Sequence, residues 1–434
     1  MGKHAKHSAL PAAGSKKAPI ITPMMVLFGA VIGWLQAIAW NGRQHGGDWA
    51  SLWIAGELAR DGKPEHFYDR DPADFSGLSG DVWFTYAEPL SALRSHPFVH
   101  NPVVAGAMRW VTEWTDFDTS LLWLTGLSGL ALVVLIASAY YAWTNDTIPT
   151  TWLWATTAAC WVLPAYHSSL WLGQTSVLIF AGVMYAIAAS RPRPVIAGLV
   201  LACVAIVKLT PVVLIPLMLV YPTRRLAGAV AAGATAALAA TSYFLYTPDV
   251  FRTWWENIQQ INGGLILSEV NQSLPSMLLQ GQRDDTVEVH MLTEVPEHAT
   301  LWTYGLALVL GALLLWVAWL FKDDAFAILA VGGFTVATVC GSLVWNHYYL
   351  FVIGTVFGLL TLTSRWNIMV PLIAISAVWF YQPLSFVVGG RSPLYIPFNY
   401  LIGTWILFGC LLVLACITTF ELRRERRIKT VRKQ

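Results

Sequence analysis

The chain has 434 residues, of which 56% are hydrophobic and 12% are charged, and its mean hydropathy is +0.55. Soluble domains carry about 25% charged residues, so this composition excludes an ordinary soluble protein and predicts an integral membrane protein. The formal net charge of +2 comes mostly from two basic tails and gives no case for nucleic-acid binding.

Charge-poor windows follow one another along the chain and predict an all-α polytopic membrane fold with about twelve transmembrane helices. Several windows are shorter than the ~20 residues that usually span a bilayer. Residues 195–221 carry Lys208 in their middle, so they form either two short spans or one long span; we retain the pair because it keeps the downstream basic loops on one side. The windows are 23–41, 120–143, 151–166, 170–189, 195–207, 211–221, 226–247, 299–321, 325–345, 348–364, 368–386 and 396–420.

Basic residues at both ends predict the orientation, because lysine and arginine are retained on the cytoplasmic side. Residues 1–22 and 421–434 are therefore expected to be cytoplasmic tails that meet anionic membrane lipid, on either side of one transmembrane domain, 23–420. The polar segments 42–119 and 248–298 then become extracytoplasmic loops. They hold most of the acids and histidines, and loops of this length are more often functional than idle linkers.

Asp48 follows the first predicted span in a Gly-rich, aromatic run. Tryptophans and leucine at helical spacing in residues 49–60 predict an amphipathic helix in the membrane interface, with its aromatic rings at headgroup depth. Asp48 would then stand at the N-cap, a position that Asp often takes. Capping and catalysis both remain open for this carboxylate on the sequence alone.

Further polar residues punctuate the first loop at Tyr86 and at His100-Asn101-Pro102. They are expected to line a cleft, and Asn101-Pro102 is expected to begin a short helix, because Pro is tolerated in a first turn. His96 and His100 bracket Pro97; their spacing matches no zinc signature, so they too are expected to line the cleft.

Polar residues within or beside apolar spans are costly and usually face a cavity. Three such places share the predicted outer face: Gln174, Lys208 and the pair His347-Tyr348. The alternatives are a snorkelling Lys208 and a hydrogen-bonded interfacial His347. In the second loop, Asn271 and Gln272 follow a Trp-Trp pair, a combination that suits sugar hydroxyls and an indole-stacked ring, although the same residues could cap a helix.

These features, in this order, resemble the actinobacterial glycosyltransferases that depend on polyprenol-phosphate sugars. This GT-C family includes α-(1→2) mannosyltransferases of phosphatidylinositol mannosides and lipomannan, and related arabinofuranosyltransferases. Where many relatives carry Tyr-Pro-Pro, this chain has His100-Asn101-Pro102, and the Lys-Pro of the family is Lys208-Leu209-Thr210-Pro211. The matching features are Asp48-Trp49 followed by Ala55, Gly62 and Tyr68, then Gly173-Gln174, Lys208 with Pro211, Asn271-Gln272-Ser273-Leu274, and His347-Tyr348.

The resemblance implies a polyprenyl-phosphate-sugar donor, a glycolipid or polysaccharide acceptor of the cell envelope, and inversion at the anomeric carbon, with mannose favoured over arabinofuranose. Inverting transfer needs a base for the acceptor hydroxyl, and one carboxylate suffices when phosphate is the leaving group. Asp48 fits that base. The departing phosphate needs cationic or strong hydrogen-bond donors, for which Lys208 and His347 are candidates.

Two other functions compete with the enzyme. A transporter or flippase for a lipid-linked sugar would share the hydropathy, but transporters place ionisable groups near the midplane and show repeated halves. A noncatalytic scaffold for envelope assembly would not need Asp48. We expect no cofactor and no essential metal: Asp69-Arg70-Asp71 is a weak match to a metal-binding triplet and is better interpreted as a solvated turn, and the five cysteines lie within predicted spans.

Overall fold

A computed structural model describes residues 18–69, 81–90, 95–268, 270–283, 290–381 and 398–431. The described chain is mostly helical, with one two-stranded antiparallel sheet formed by β1 (Leu265–Leu267) and β2 (His290–Leu292). The helices are α1 (Pro23–Trp40), α2 (Gly47–Arg60), α3 (Asp81–Ala87), α4 (Pro102–Trp114), α5 (Phe117–Thr144), α6 (Thr150–Trp161), α7 (Pro164–Leu172), α8 (Ser176–Ala189), α9 (Pro194–Val207), α10 (Leu214–Val220), α11 (Arg225–Leu245), α12 (Pro248–Gly263), α13 (Leu274–Leu279), α14 (Glu297–Leu320), α15 (Ala325–Ala327), α16 (Gly333–Val339), α17 (Ile353–Leu362), α18 (Trp366–Phe380) and α19 (Asn399–Val431).

Short irregular helices join several of these elements. A π-helical segment, Ile328–Gly332, connects α15 to α16. The 3-10 helices are Pro64–His66, Thr210–Val213, Gln280–Gln282, Lys322–Asp324 and Asn346–Val352.

Five of the described helices are long and apolar enough to cross a membrane: α1, α5, α11, α14 and the Asn399–Glu425 part of α19. A sixth candidate is the pair α7 and α8, which is bent by 120°. Shorter apolar helices occupy Pro194–Val207, Thr210–Val220, Asn346–Leu362 and Trp366–Phe380. The helices follow the order of the charge-poor windows, whereas the count of twelve spans stays a prediction.

Helix α5 is the central packing element, and its sequence explains its length. The Asp116 carboxylate caps it by accepting from the Thr119 backbone N–H at 2.9 Å, and the helix ends where Asn145 adopts a left-handed conformation. Glycines let α1 approach α5 closely: a Cβ on Gly33 would collide with the Gly126 carbonyl. Helix α8 packs on another part of α5.

Helix α2, near the start of the first polar segment, is not the interfacial helix that the sequence predicted. Helix α2 is buried on nearly all sides, including Trp49 and Trp53, and packs on α4. A helix covered by protein in this way cannot place its aromatic face at headgroup depth. Its N-cap is Gly46, in a left-handed conformation, so Asp48 is the second residue of the helix and the N-cap assignment was wrong.

The start of α4 matches the sequence prediction. Asn101 is the N-cap, its side-chain Oδ1 accepts from the Val103 backbone N–H at 3.1 Å, and Pro102 is the first helical residue. The expected pair of segments on either side of Lys208 is also present, because α9 ends at Val207 and the following helical turn begins at Thr210.

Candidate functional site

A cavity of about 440 Å³ lies where the two long polar segments meet α8, α9 and α16. Its wall carries an acid, an amine, two histidines and several amides among apolar side chains. This mixture is typical of ligand sites, in which a few convergent polar groups orient a mostly apolar ligand. The polar lining residues include Asp48, His96, His100, Asn101, Gln174, Lys208, Trp254 and Tyr348.

Two glycines bring the start of α2 against the bend between α7 and α8. Gly46 and Gly173 both have positive φ angles, of 68° and 69°, which glycine adopts without strain. A Cβ on Gly173 would stand 2.8 Å from the Trp49 Cβ, so only glycine permits this approach. The Trp171 carbonyl accepts the Gly46 backbone N–H at 3.0 Å and fixes the junction.

Both carboxylate oxygens of Asp48 are engaged at this junction. The Nδ1 atom of His96 lies 2.5 Å from Oδ1, and the Gln174 side-chain amide donates to Oδ2. The backbone N–H of His96 also donates to the Gly47 carbonyl at 3.2 Å, which holds the imidazole beside the acid. The Asp48 side chain keeps 20% of its surface exposed to the cavity.

The environment of Asp48 favours its charged form. Burial alone would raise the pKa of this carboxyl group, but the charge and hydrogen bond of His96, with further contributions from His347 and Gln174, lower the pKa below its usual value. Asp48 is therefore ionised at neutral pH and able to accept a proton.

Lys208 lies in the turn after α9, with its ammonium 3.1 Å from the centroid of the Tyr348 ring. Lys208 and Tyr348 both line the cavity, and the ammonium lies over the face of the Tyr348 ring. Burial of the ammonium lowers the pKa of Lys208 well below its usual range, and Asp48 opposes this shift electrostatically. An anionic ligand beside this amine would oppose the shift and favour the charged ammonium form.

His100 ties the first polar segment to the Lys208 turn. Its Nδ1 donates to the Val207 carbonyl at 2.7 Å, and its own carbonyl accepts the Tyr68 hydroxyl at 2.7 Å. Burial lowers the pKa of His100, while the hydrogen bond to Val207 opposes the change. His100 therefore acts on the site as a neutral cross-link that positions Lys208.

Two buried hydrogen-bond donors in the cavity wall have no partner among the described residues: Asn101 Nδ2 and Trp254 Nε1. Their residues are only 1% and 5% exposed. An unsatisfied buried donor costs about 1–3 kcal/mol. His96 was predicted only as one of the polar groups that line a cleft, and Trp254 only as one of a Trp-Trp pair that suits a sugar ring. The helical periodicity of α12 could have separated the buried Trp254 from its neighbour Trp255, which is 48% exposed.

His347 lies behind this wall. It is 1% exposed, its ring packs edge-on against Tyr348 with centroids 4.8 Å apart, and it interacts electrostatically with Asp48 and Lys208. Neither ring nitrogen has a hydrogen-bond partner within the described part of the chain. The alternative interpretation, in which His347 is a hydrogen-bonded interfacial histidine, is therefore not supported by any hydrogen bond within the described residues.

The sequence model of glycosyltransferase family 87 matches residues 98–345, more than half of the chain. The chain belongs to glycosyltransferase family 87. With its long apolar helices it is a membrane glycosyltransferase, and the family supports a GT-C-type enzyme. A search of curated proteins gave no match.

The family match covers only part of the cavity wall of this glycosyltransferase. It includes the segments that carry His100, Gln174 and Lys208, whereas Asp48 and His347 lie outside it. The fold brings both parts together, because Gln174 donates directly to the Asp48 carboxylate.

Asn271, which was predicted to bind substrate, lies in a structural latch of the glycosyltransferase. Its Nδ2 donates to the carbonyls of Ile266 and Ser342 at 2.7 and 2.9 Å, and its Oδ1 accepts from the Val344 N–H at 2.8 Å. Ser342 belongs to the cavity wall. Asn271 thus fastens the second polar segment to that wall without lining the cavity itself.

Gln272 and Tyr86 also lie outside the cavity wall. The Oε1 atom of Gln272 accepts from the Tyr400 backbone N–H at 3.2 Å, which joins the second segment to α19. The Tyr86 hydroxyl donates to Asp61 Oδ2 at 2.6 Å and accepts from Lys63 at 3.2 Å, in an exposed cluster at the end of α2.

Within the described residues of the glycosyltransferase, His, Cys, Asp and Glu side chains form no group of three that could hold a metal ion. The expectation that no metal is essential stays a prediction. Of the Asp69-Arg70-Asp71 triplet, only Asp69 lies within the described ranges, and its carboxylate pairs with His66 Nδ1 at 2.8 Å.

Proposed function

We propose that the enzyme transfers a sugar, mannose in preference to arabinofuranose, from a polyprenyl-phosphate donor to a glycolipid or polysaccharide acceptor of the cell envelope. Transfer takes place on the extracytoplasmic face and inverts the anomeric carbon. The observation that carries this proposal is the Asp48 carboxylate, held by His96 and Gln174 in the wall of a cavity that also contains the Lys208 ammonium.

Asp48 is the general base of the proposed reaction. The acceptor hydroxyl oxygen forms a bond to the anomeric carbon, its proton passes to Asp48, and the bond from that carbon to the phosphate oxygen breaks with its electron pair on the phosphate. His96 and Gln174 each engage one carboxylate oxygen of Asp48, and each of these oxygens has a second lone pair for the incoming proton.

Lys208 balances the charge that develops on the leaving polyprenyl phosphate. Its ammonium already interacts electrostatically with Asp48 across the site, so base and leaving-group stabiliser lie close enough to act on one sugar. The cavity continues between apolar side chains that suit a prenyl chain. These are Ile179 of α8, Ile206 of α9, Val213 of the 3-10 helix Thr210–Val213, and Ala337 of α16.

Asn101 and Trp254 supply donors for oxygen atoms of the sugar or phosphate. Both groups are preorganised, because Asn101 caps α4 through its Oδ1 and Trp254 is buried in α12. A ligand that accepts from them recovers their desolvation cost, whereas a ligand that lacks an oxygen there leaves them unpaired. These two side chains are thus expected to contribute to substrate selection. The preference for mannose rests on the family resemblance.

The proposal is tested by transfer of radiolabel from polyprenyl-phosphate-mannose and from polyprenyl-phosphate-arabinofuranose in membranes that contain the protein. Label should pass from the mannose donor into the lipid or polysaccharide fraction. Transfer from the arabinofuranose donor alone would correct the sugar. If label crosses the membrane on its own polyprenyl carrier without transfer, the protein is a flippase, and if label neither moves nor transfers, the enzymatic assignment to these donors is contradicted.

A further inference from the structure

Three arginines converge at the end of the helical bundle where α8 turns into α9 and α10 turns into α11. Arg191 and Arg193 lie in the first turn, and Arg224 immediately precedes α11 in the second. The hydrogen bond from Arg224 to Ser190, the residue before Arg191, joins the second turn to the first, and all three arginines act electrostatically on the Tyr141 hydroxyl near the end of α5. By the expected orientation this group lies at the cytoplasmic leaflet.

Arg224 is built into the structure. Its Nη1 donates to the Ser190 hydroxyl at 2.9 Å, and its guanidinium lies 4.6 Å from the centroid of the Phe326 ring. Burial of the guanidinium, followed by repulsion from Arg191, lowers the pKa of Arg224 to about 10. Its Nε is buried and has no hydrogen-bond partner in the described ranges.

The ion pairs of the described residues include no carboxylate partner for Arg191, Arg193 or Arg224. Asp146 acts electrostatically on Tyr141, but Arg224 has Arg191 and Tyr141 as its electrostatic neighbours. Elsewhere in the chain an arginine is neutralised locally: Arg365 lies 2.7 Å from Glu421. Retention of basic residues on the cytoplasmic side requires only their charge. It does not explain why the Arg224 guanidinium is half-buried with an unsatisfied N–H.

We propose that Arg191, Arg193 and Arg224 bind the headgroup phosphate of an anionic phospholipid. A phosphate would pair with the exposed Arg191 and Arg193 guanidinium groups beside Arg224, neutralise the mutual repulsion of the cations, and face the N-terminal N–H groups of the 21-residue helix α11, where anions are favoured. The membrane position of the two turns selects a lipid over a soluble anion, because acyl chains would lie along the exposed apolar residues of α9 and α11, including Val195, Ile196 and Leu226.

Binding to the full-length chain in neutral detergent micelles tests this site, with native mass spectrometry as the readout. The probes are dioleoylphosphatidylglycerol, dioleoylphosphatidylcholine and glycerol 3-phosphate. We expect phosphatidylglycerol to bind about tenfold more tightly than phosphatidylcholine, and glycerol 3-phosphate to bind far more weakly than the lipid. Arg224→Gln should lower the affinity for phosphatidylglycerol about tenfold, since a charge-assisted hydrogen bond and its Coulombic attraction are lost.

Arg191→Gln/Arg193→Gln gives a second measurement that does not depend on the folding of the Arg224 variant, because both side chains are exposed. This double variant should also lose about tenfold in affinity, whereas Lys322→Gln, an exposed charge near Phe326, should not change it. Equal affinity of the double variant and the unsubstituted chain would overturn the proposal, as would equal binding of the two lipids. Equally tight binding of glycerol 3-phosphate would assign the site to a soluble anion.

Discussion

The Nδ1 atom of His96 lies 2.5 Å from the Oδ1 atom of Asp48, although 48 positions separate the two residues. This contact, with the amide of Gln174 on the other carboxylate oxygen, defines the acid as a positioned and ionised group facing a cavity. Helix capping explains none of these contacts, because Gly46 holds the N-cap position of α2.

The pH dependence of transfer should report the pairing of Asp48 with His96. A base is active while ionised, so its contribution is present above its pKa and lost as the pH falls through it. Because the pKa of Asp48 lies below the usual 3.8, the acid limb of the rate profile should lie below that pH. His96→Gln removes the lowering charge, so the pKa should rise and activity should be lost at a higher pH.

His66→Gln is the matched control for that profile. His66 Nδ1 pairs with Asp69 at 2.8 Å, the same kind of contact, but neither residue lines the cavity. Its acid limb should coincide with that of the unsubstituted enzyme. An unshifted limb in His96→Gln would show that His96 does not control the ionisation of the base.

Lys208→Met should weaken use of the donor. The substitution keeps the apolar stem that packs beside Tyr348 but removes the charge that would pair with the donor phosphate. Loss of a charge-assisted contact worth about 1.5–3 kcal/mol raises the donor KM about tenfold or more. Lys63→Met, an exposed lysine beside Tyr86, serves as the control in the same rate measurements against donor concentration. Unchanged donor dependence in Lys208→Met would remove Lys208 from the donor site.

Two substitutions of His347 distinguish a role as hydrogen-bond donor from a purely packing role. The prediction from the sequence, that His347 donates to the donor phosphate, requires His347→Gln to keep partial transfer activity and His347→Ala to lose much more, whereas the burial of His347 behind the cavity wall favours the packing role. Initial rates at saturating donor would measure the difference. Equal activity in the two variants would leave His347 as a packing residue, and equal complete loss would indicate that the imidazole itself transfers a proton.

The polar segment 42–119 should face away from the cytoplasm. Lys63→Cys, in a background without the five native cysteines, places a thiol at an exposed position of that segment and should react with a membrane-impermeant thiol reagent in intact cells after cell-wall removal. Asp323→Cys, on the opposite expected face, should react only after lysis. The reverse pattern would invert the orientation and place the proposed site in the cytoplasm.

Much of the helical order could be predicted from the sequence, because apolarity is a local property. The direction in which a helix continues after a turn is not a local property. The windows 151–166 and 170–189 were predicted as two spans, whereas the structure has α6 and then α7 and α8 joined at 120°. The left-handed Gly173 is the signal for this bend, and hydropathy does not register it.

The site shows the same division between local and long-range properties. Asp48, Gln174 and Lys208 could be singled out because a polar group in an apolar setting is costly, and the fold brings all three to one cavity. Asn271 was predicted to bind sugar because an amide near tryptophans suits sugar hydroxyls, but its hydrogen bonds go to backbone groups. The pairing of His96 with Asp48 was not predicted, because the two residues come together only when distant parts of the first loop fold against each other.

The central claim is that Asp48 is the base of sugar transfer, and the rate of mannose transfer by Asp48→Asn tests it most directly. The matched control is Asp61→Asn, the same substitution in the exposed cluster at the other end of α2. Asp48→Asn should lose about 10²- to 10⁴-fold in rate with donor binding nearly intact, because the amide keeps the shape but cannot accept the proton. Asp61→Asn should keep its rate. Near-normal turnover by Asp48→Asn would contradict the claim.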